Sequence, residues 1–306
     1  MQVLPSVTRC TALLAVALGA AAPALAQSAK QDWTPVDRAI GRSGSMQAGD
    51  VQKYSFPRAD LRVTVGGVAV KPALALGSWV AFKAMGAATG QTMAMGDLVL
   101  LESEVAPVMS KLQSSGVEQT ALHNHLQHET PSVMYLHVQA QGDPVKIAGA
   151  VRAALALTRT PDGPQAATPA GAGFELDTAR LASGLGHAGK VTGGVYQVSV
   201  PRAEPVRMAG MEIPPSMGLA TAINFQPTGN GKAAITGDFV LTADEVNPVI
   251  RSLRDGGIAV TALHSHMLGE EPRLYFMHFW ANDDATKLAR TLHDALGHMK
   301  VRAGGA

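Results

Sequence analysis

Apolar and polar positions follow the same order twice along the chain. Residues 51–56 and 62–65, and again 195–200, are short alternating or β-rich runs, and 78–82 and 221–225 are further β-rich runs. Each predicts a strand with one buried face. Residues 97–101 form an apolar strand. Over 102–115 the period changes: Val105, Val108, Met109 and Leu112 share one face of a helix that Gly116 stops. Residues 117–125 and 133–139 predict two strands around a short loop. Residues 143–157 predict an alanine-rich helix with Asp143 as N-cap and Pro144 behind it. The second half repeats this with a helix over 243–254, strands over 258–266 and 274–280, and a helix over 283–296. A short lead-in helix is expected over 33–40, with Thr34 as N-cap and Pro35 at its first position. The order strand, helix, strand, strand, helix predicts an α+β fold with helices on one face of a mainly antiparallel sheet.

The duplication is also explicit in residue identities. Gly96-Asp97 matches Gly237-Asp238, Glu104 and Pro107 match Glu245 and Pro248, and Thr120-Ala-Leu-His-Asn-His125 matches Thr261-Ala-Leu-His-Ser-His266. Glu129, Pro131 and His137 match Glu270, Pro272 and His278 at the same offset, and Pro57-Arg58-Ala-Asp60 matches Pro201-Arg202-Ala-Glu204 at a slightly longer one. Matches at one constant offset mark a tandem repeat. The copies are set at 40–157 and 174–300, related by a pseudo-twofold axis, with a Pro-, Gly-, Ala- and Thr-rich connection over 158–173. Neither copy has a dinucleotide or phosphate-binding glycine turn.

Composition narrows the function classes. The chain is 46% hydrophobic and 16% charged, which fits a packed globular protein, and a net charge of +1 with no basic stripe leaves nucleic acid without an electrostatic footprint. Arg9, the apolar run that begins at Thr11, and Ala24-Leu25-Ala26 have the form of a secretory signal peptide over 1–26, with the mature start near Gln27. The protein is therefore expected to be periplasmic or secreted, without a stable membrane anchor once the leader is cleaved. Cys10, the only cysteine, precedes the cleavage site, so neither lipidation nor a disulfide is expected.

The duplicated histidines carry the candidate chemistry. Alternation along a strand puts His123 and His125 on one side, and likewise His264 and His266. Two imidazoles at this spacing can converge on one ion. His137 and His278 on the returning strands, with Glu129 and Glu270 in the loops, would complete a mixed nitrogen and oxygen set for a divalent transition metal, zinc first. A metal-free polar pocket, or histidines tying a hairpin to the core, is the bland alternative. His128 has Gly269 as its counterpart and is set aside.

Other features are weaker. The literal His-Asn-His tripeptide does not make a nuclease, and His-x-His-x3-Glu matches a cupin motif only where the intervening helices argue against an all-β barrel. Met93, Met95, Met208, Met211 and Met217 suit a core better than a copper site. Arg58 and Arg202 are candidate ligands for a small anion, with a structural ion pair as the simpler account. Asp97 and Asp238 follow a glycine and are expected to be turn residues rather than carboxylates orienting a histidine.

The motifs Pro-Arg-x-Asp-Leu, Met-Gly-Asp-Leu-Val-Leu, Glu-Val-x-Pro-Val-Met and Thr-Ala-Leu-His-Asn-His-Leu resemble those of the LppY/LpqO family of exported bacterial proteins, from about Val36 to Leu296. The resemblance implies a bacterial envelope or secreted protein and brings no established activity. The lipidation cysteine of lipoprotein members is missing here. The expected function is therefore binding of a transition metal by an exported protein. The alternatives are a metal-assisted hydrolase with Glu129 or Glu270 as general base, and a metal-free module that binds a small anion through Arg58 and Arg202.

Overall fold

A computed structural model describes residues 1–2, 31–86, 90–162 and 173–304. Residues 3–30, which hold Cys10 and nearly all of the expected leader, and most of the connection between the copies lie outside the described residues. The chain divides into the unit Met1–Lys30 and the unit Gln31–Ala306, and everything below concerns the second.

Each copy builds a six-stranded, fully antiparallel sheet. The first contains β1 (Ser45–Gln47), β2 (Val51–Pro57), β3 (Gly77–Ala84), β4 (Thr92–Leu101), β5 (Glu118–His123) and β6 (Val133–Gly142), in the order β1-β2-β3-β4-β6-β5. The second repeats that order with β7 (Lys190–Thr192), β8 (Val195–Pro201), β9 (Ala220–Gly229), β10 (Lys232–Leu241), β11 (Ala259–His264) and β12 (Tyr275–Asp284). Helices α1 (Thr34–Ile40), α2 (Glu102–Ser114) and α3 (Pro144–Leu155) serve the first copy, and α4 (Thr178–Leu185), α5 (Ala243–Asp255) and α6 (Ala285–Leu296) the second.

The alternation decides which side of each sheet meets which layer. In copy one, Tyr54, Phe56, Val80, Phe82, Leu98, Leu136 and Val138 face Val108, Leu112 and Val151 of the helices. The opposite faces of the two sheets turn towards each other: Ala81, Met93 and Met95 pack with Val240, Met267 and Phe276, and Val99 and Tyr135 with Val195 and Ala234. The result is helices, sheet, sheet, helices, an α+β duplication with a core on both sides of each sheet. Reciprocal hydrogen bonds mark the pseudo-twofold: the Thr120 hydroxyl donates to the His266 carbonyl at 2.5 Å, and the Thr261 hydroxyl to the His125 carbonyl at 2.6 Å. Among the described residues no helix is long and apolar enough to cross a membrane.

Local chemistry explains the element ends. The Asp143 carboxylate caps α3 by accepting from the Val145 amide at 2.8 Å, and Asp284 caps α6 through Lys287. At α1 the cap position belongs to Trp33 rather than Thr34, and no side chain makes the cap bond. Helix α4, absent from the sequence-based expectation, has Asp177 as N-cap, Leu181 and Leu185 buried, and Gly186 left-handed at its end. The most consequential difference is β4, which begins at Thr92. Asp97 therefore lies mid-strand and not in a turn, and Asp238 likewise within β10. The glycine before Asp97 has a steric reason, because a Cβ there would lie 2.7 Å from the Trp79 carbonyl oxygen.

Candidate metal centre

Strand register brings the polar residues together. Asp97 on β4 lies directly across from His137 on β6, and His137 directly across from Ala121 on β5. Directly paired residues share a face, and alternation puts His123 on that face too. In copy two, Asp238, His278, Ala262 and His264 repeat the arrangement. A bulge after Gln119, and another after Val260, leaves Thr120 and Thr261 outside the ladder, which frees their hydroxyls for the reciprocal bonds between copies. These bonds hold the ends of the two His-x-His segments against each other. The strands themselves stop at His123 and His264, so His125 and His266 sit just beyond them.

All six duplicated histidines meet in one cluster between the sheets. His123 and His264 stack across the pseudo-twofold with ring centroids 3.5 Å apart. The symmetric pairs His125–His278 and His137–His266 stack at 3.7 and 3.6 Å. Tyr135 covers His125, and Phe276 covers His266. Ligand nitrogens of His123, His264, His266 and His278 lie within 4.8 Å of one another, as do those of His123, His125 and His137. The duplicated pairs thus lie in one cluster, with His123 common to both groups.

The electrostatics favour neutral rings. Burial is the first cause of a lowered pKa at every one of these histidines, with the neighbouring imidazoles adding to it at all but His264. His264 is lowered to about 4 and His278 to about 3. Both ring nitrogens of His123 are buried with no hydrogen-bond partner, as are Nε2 of His125, His137, His264, His266 and His278. Because a carbonyl only accepts, the 2.8 Å contact from His278 Nδ1 to the Gly237 oxygen puts the proton on Nδ1 and leaves Nε2 a free lone pair. Neutral imidazoles with converging lone pairs are the ligand form for Zn, Cu, Fe or Ni, so this donor set fits a transition metal.

Asp97 and Asp238 stand beside the rings. Asp97 lies 4.0 Å from His125 and 3.8 Å from His137, and Asp238 lies 3.6 Å from His266 and 4.0 Å from His278. Burial raises Asp97 to about 7 against the opposing charge of Lys53, and raises Asp238 well above its ordinary value with help from Asp97. These carboxylates and Lys53 are the site residues that sequence reasoning passed over. The duplicated Gly-Asp was visible, but it was assigned to a turn.

Other expected site residues have different roles. The Glu129 carboxylate accepts from the Val133 amide at 2.9 Å, and Glu270 accepts from Leu274 at 3.0 Å and from Arg273. Each ties down its own loop, with Glu129 Oε2 left buried and unpartnered, and neither belongs to the groups of converging donors. Arg58, fully buried, spends its five N–H donors on Asp60, Glu104 and the Val99 carbonyl. Arg202 binds Glu245 and the Val240 carbonyl. The two arginines are structural clamps, and Arg202 differs in leaving its buried Nε without a hydrogen-bond partner. His128 is exposed, and Met93, Met95, Met208 and Met217 fill the apolar cluster between the sheets.

Comparison with known proteins adds a family and no activity. A family model described as a domain of unknown function, DUF1259, matches residues 34–157 and again 179–298. No protein of curated function matches. Among solved structures, the trimeric bacterial microcompartment shell protein PduB is similar at 12% identity and a TM-score of 0.22, covering 84% of this chain and 89% of its own. EtuB from Clostridium kluyveri is similar at 10% identity and a TM-score of 0.19, over 83% and 88%. Likenesses this slight carry nothing over to this chain. The protein belongs to the DUF1259 family of unknown function and carries its domain twice.

Proposed function

We propose that this is an exported bacterial protein that binds a divalent transition metal, zinc first, in the histidine cluster shared by its two copies. The observation that carries the proposal is the set of buried, unpartnered imidazole nitrogens on six converging rings. Leaving so many buried ring nitrogens unsatisfied costs on the order of 1–3 kcal/mol each, and a metal would satisfy several at once. Export rests on the form of the leader and on the resemblance to the LppY/LpqO family. Two competing readings have less support. A hydrolase would need Glu129 or Glu270 as a base beside the imidazoles; each accepts from its own loop, and although Glu129 Oε2 has no partner, neither carboxylate is among the converging donors. The pocket lined by His137 and His266 offers about 10 Å³, room for about one water. An anion-binding module would need Arg58 and Arg202, whose guanidinium groups are already paired with the buried carboxylates of Glu104 and Glu245.

The test is metal analysis of untagged protein, followed by zinc titration after chelation. Bound metal, lost in His123→Ala with His264→Ala, is the expected result. Protein that carries no metal and takes up none on titration would overturn the proposal.

A further inference from the structure

The donors divide unevenly. Four imidazoles, His123, His264, His266 and His278, form one mutually close group. Four nitrogens complete a tetrahedral set of the closed kind. His125 and His137 remain outside it, and between them stands Asp97. Its Oδ2 is 4.0 Å from His125 Nε2 and its Oδ1 is 3.8 Å from His137 Nε2. The three side chains are 15%, 7% and 9% exposed for His125, His137 and Asp97, so the group is built into the interior. Both Nε2 atoms and Asp97 Oδ1 are buried without a hydrogen-bond partner.

Copy two cannot form the same second group. Its His278 presents Nδ1 to Asp238, and that nitrogen is already committed to the Gly237 carbonyl. The free Nε2 of His278 serves the four-imidazole group instead.

Building on the metal-binding reading above, we propose that the centre holds two ions: one on His123, His264, His266 and His278, and a second on His125, His137 and Asp97. The sites differ in chemistry. Two imidazoles and one carboxylate leave coordination positions free and suit iron(II) as well as zinc. The small pocket lined by His137 and His266 touches both groups and has room for a water-sized ligand. His123 belongs to both groups of close nitrogens and has both ring nitrogens unpartnered, so it borders both ions.

The probe is cobalt(II) titrated into untagged, chelator-stripped protein, followed by calorimetry and by the visible spectrum. Two equivalents per chain are expected, one with the intense bands of a four-coordinate ion and one with the weak bands of a higher-coordinate ion. Asp97→Ala with His137→Ala should remove the weak-band equivalent alone. His264→Ala with His278→Ala should remove the intense-band equivalent. Asp97→Asn, which keeps the shape of the side chain, should weaken the second equivalent at least tenfold and leave the first unchanged. It also separates a lost site from a folding defect in the double variants. One equivalent in the unmodified protein, or a second that the Asp97 variants leave untouched, would overturn the two-ion centre while the metal-binding proposal stands. No uptake at all would remove both.

Discussion

The two copies share a strand order, a buried Arg–Glu pair, three imidazoles and an aspartate, but the surroundings of that aspartate differ. In copy one the Lys53 ammonium lies 3.9 Å over the Trp79 ring, and its charge favours an ionised Asp97. In copy two the matching residue is Gln197, whose amide donates to the Ala73 carbonyl at 2.8 Å, and Asp238 gains no such help. The residue across from Asp97 is Trp79, and the residue across from Asp238 is Ala222. Tyr135 anchors its hydroxyl on the Ala75 carbonyl, where copy two has Phe276. Duplication has kept the scaffold and the histidines while a few neighbours make the two halves electrostatically unequal.

The largest effect should come from what the copies have in common. All six histidines are held neutral in the fold, and in an unfolded chain they would titrate near 6.5. Below that pH the unfolded chain takes up protons that the native cluster refuses, so stability falls as pH falls. Asp97, Asp238 and Glu129 act in the opposite sense, because their raised values let the native state hold protons that the unfolded chain releases. Six groups against three leave a net loss, on the order of a few kcal/mol per pH unit below about 6.5. Urea unfolding of metal-free protein at pH 7.0, 6.0 and 5.0 measures it. A flat profile would mean that the cluster admits protons in the native state.

A smaller effect separates the two clamps. Arg58 pairs with Glu104 at 2.7 Å and Asp60 at 2.8 Å, whereas Arg202 pairs closely with Glu245 alone, Glu204 being 3.8 Å away and half exposed. Replacing either arginine by methionine strands a buried carboxylate, a loss of about 3–5 kcal/mol. Arg58→Met should be the costlier of the two in denaturant unfolding. Equal losses would show that the Asp60 contact contributes nothing.

Much of this was legible in the chain. The period-two runs, the Asp143 cap and the constant offset gave the strands, the helices and the duplication. Helix α4 was readable from Asp177, Leu181, Leu185 and Gly186, but its apolar positions are too few to stand out. The histidine types were visible, and their convergence was not. It depends on bulges at Thr120 and Thr261 and on two sheets packing face to face, neither of which leaves a local signature. Glu129 and Glu270 looked like ligands because loop carboxylates so often are, but the backbone amides four residues on compete for them. Arg58 and Arg202 looked free because the sequence does not show that α2 and α5 begin by aiming Glu104 and Glu245 at them.

The smallest expected effect bears most directly on why the halves differ. Lys53→Gln gives Asp97 the neighbour that Asp238 already has. With the cation gone, burial acts alone and the Asp97 carboxyl should titrate above its present value of about 7. Carboxyl-carbon NMR of metal-free protein would follow it, and stability at pH 7 should change by about 1 kcal/mol or less. The reciprocal Gln197→Lys should lower Asp238, but by less. Ala222 offers no ring to cover the new ammonium as Trp79 covers Lys53, so more of its charge is spent on water. If Asp97 does not move in Lys53→Gln, the lysine charge does not reach it, and the inequality of the two halves must come from burial and from the Asp97 charge and Met277 amide at Asp238.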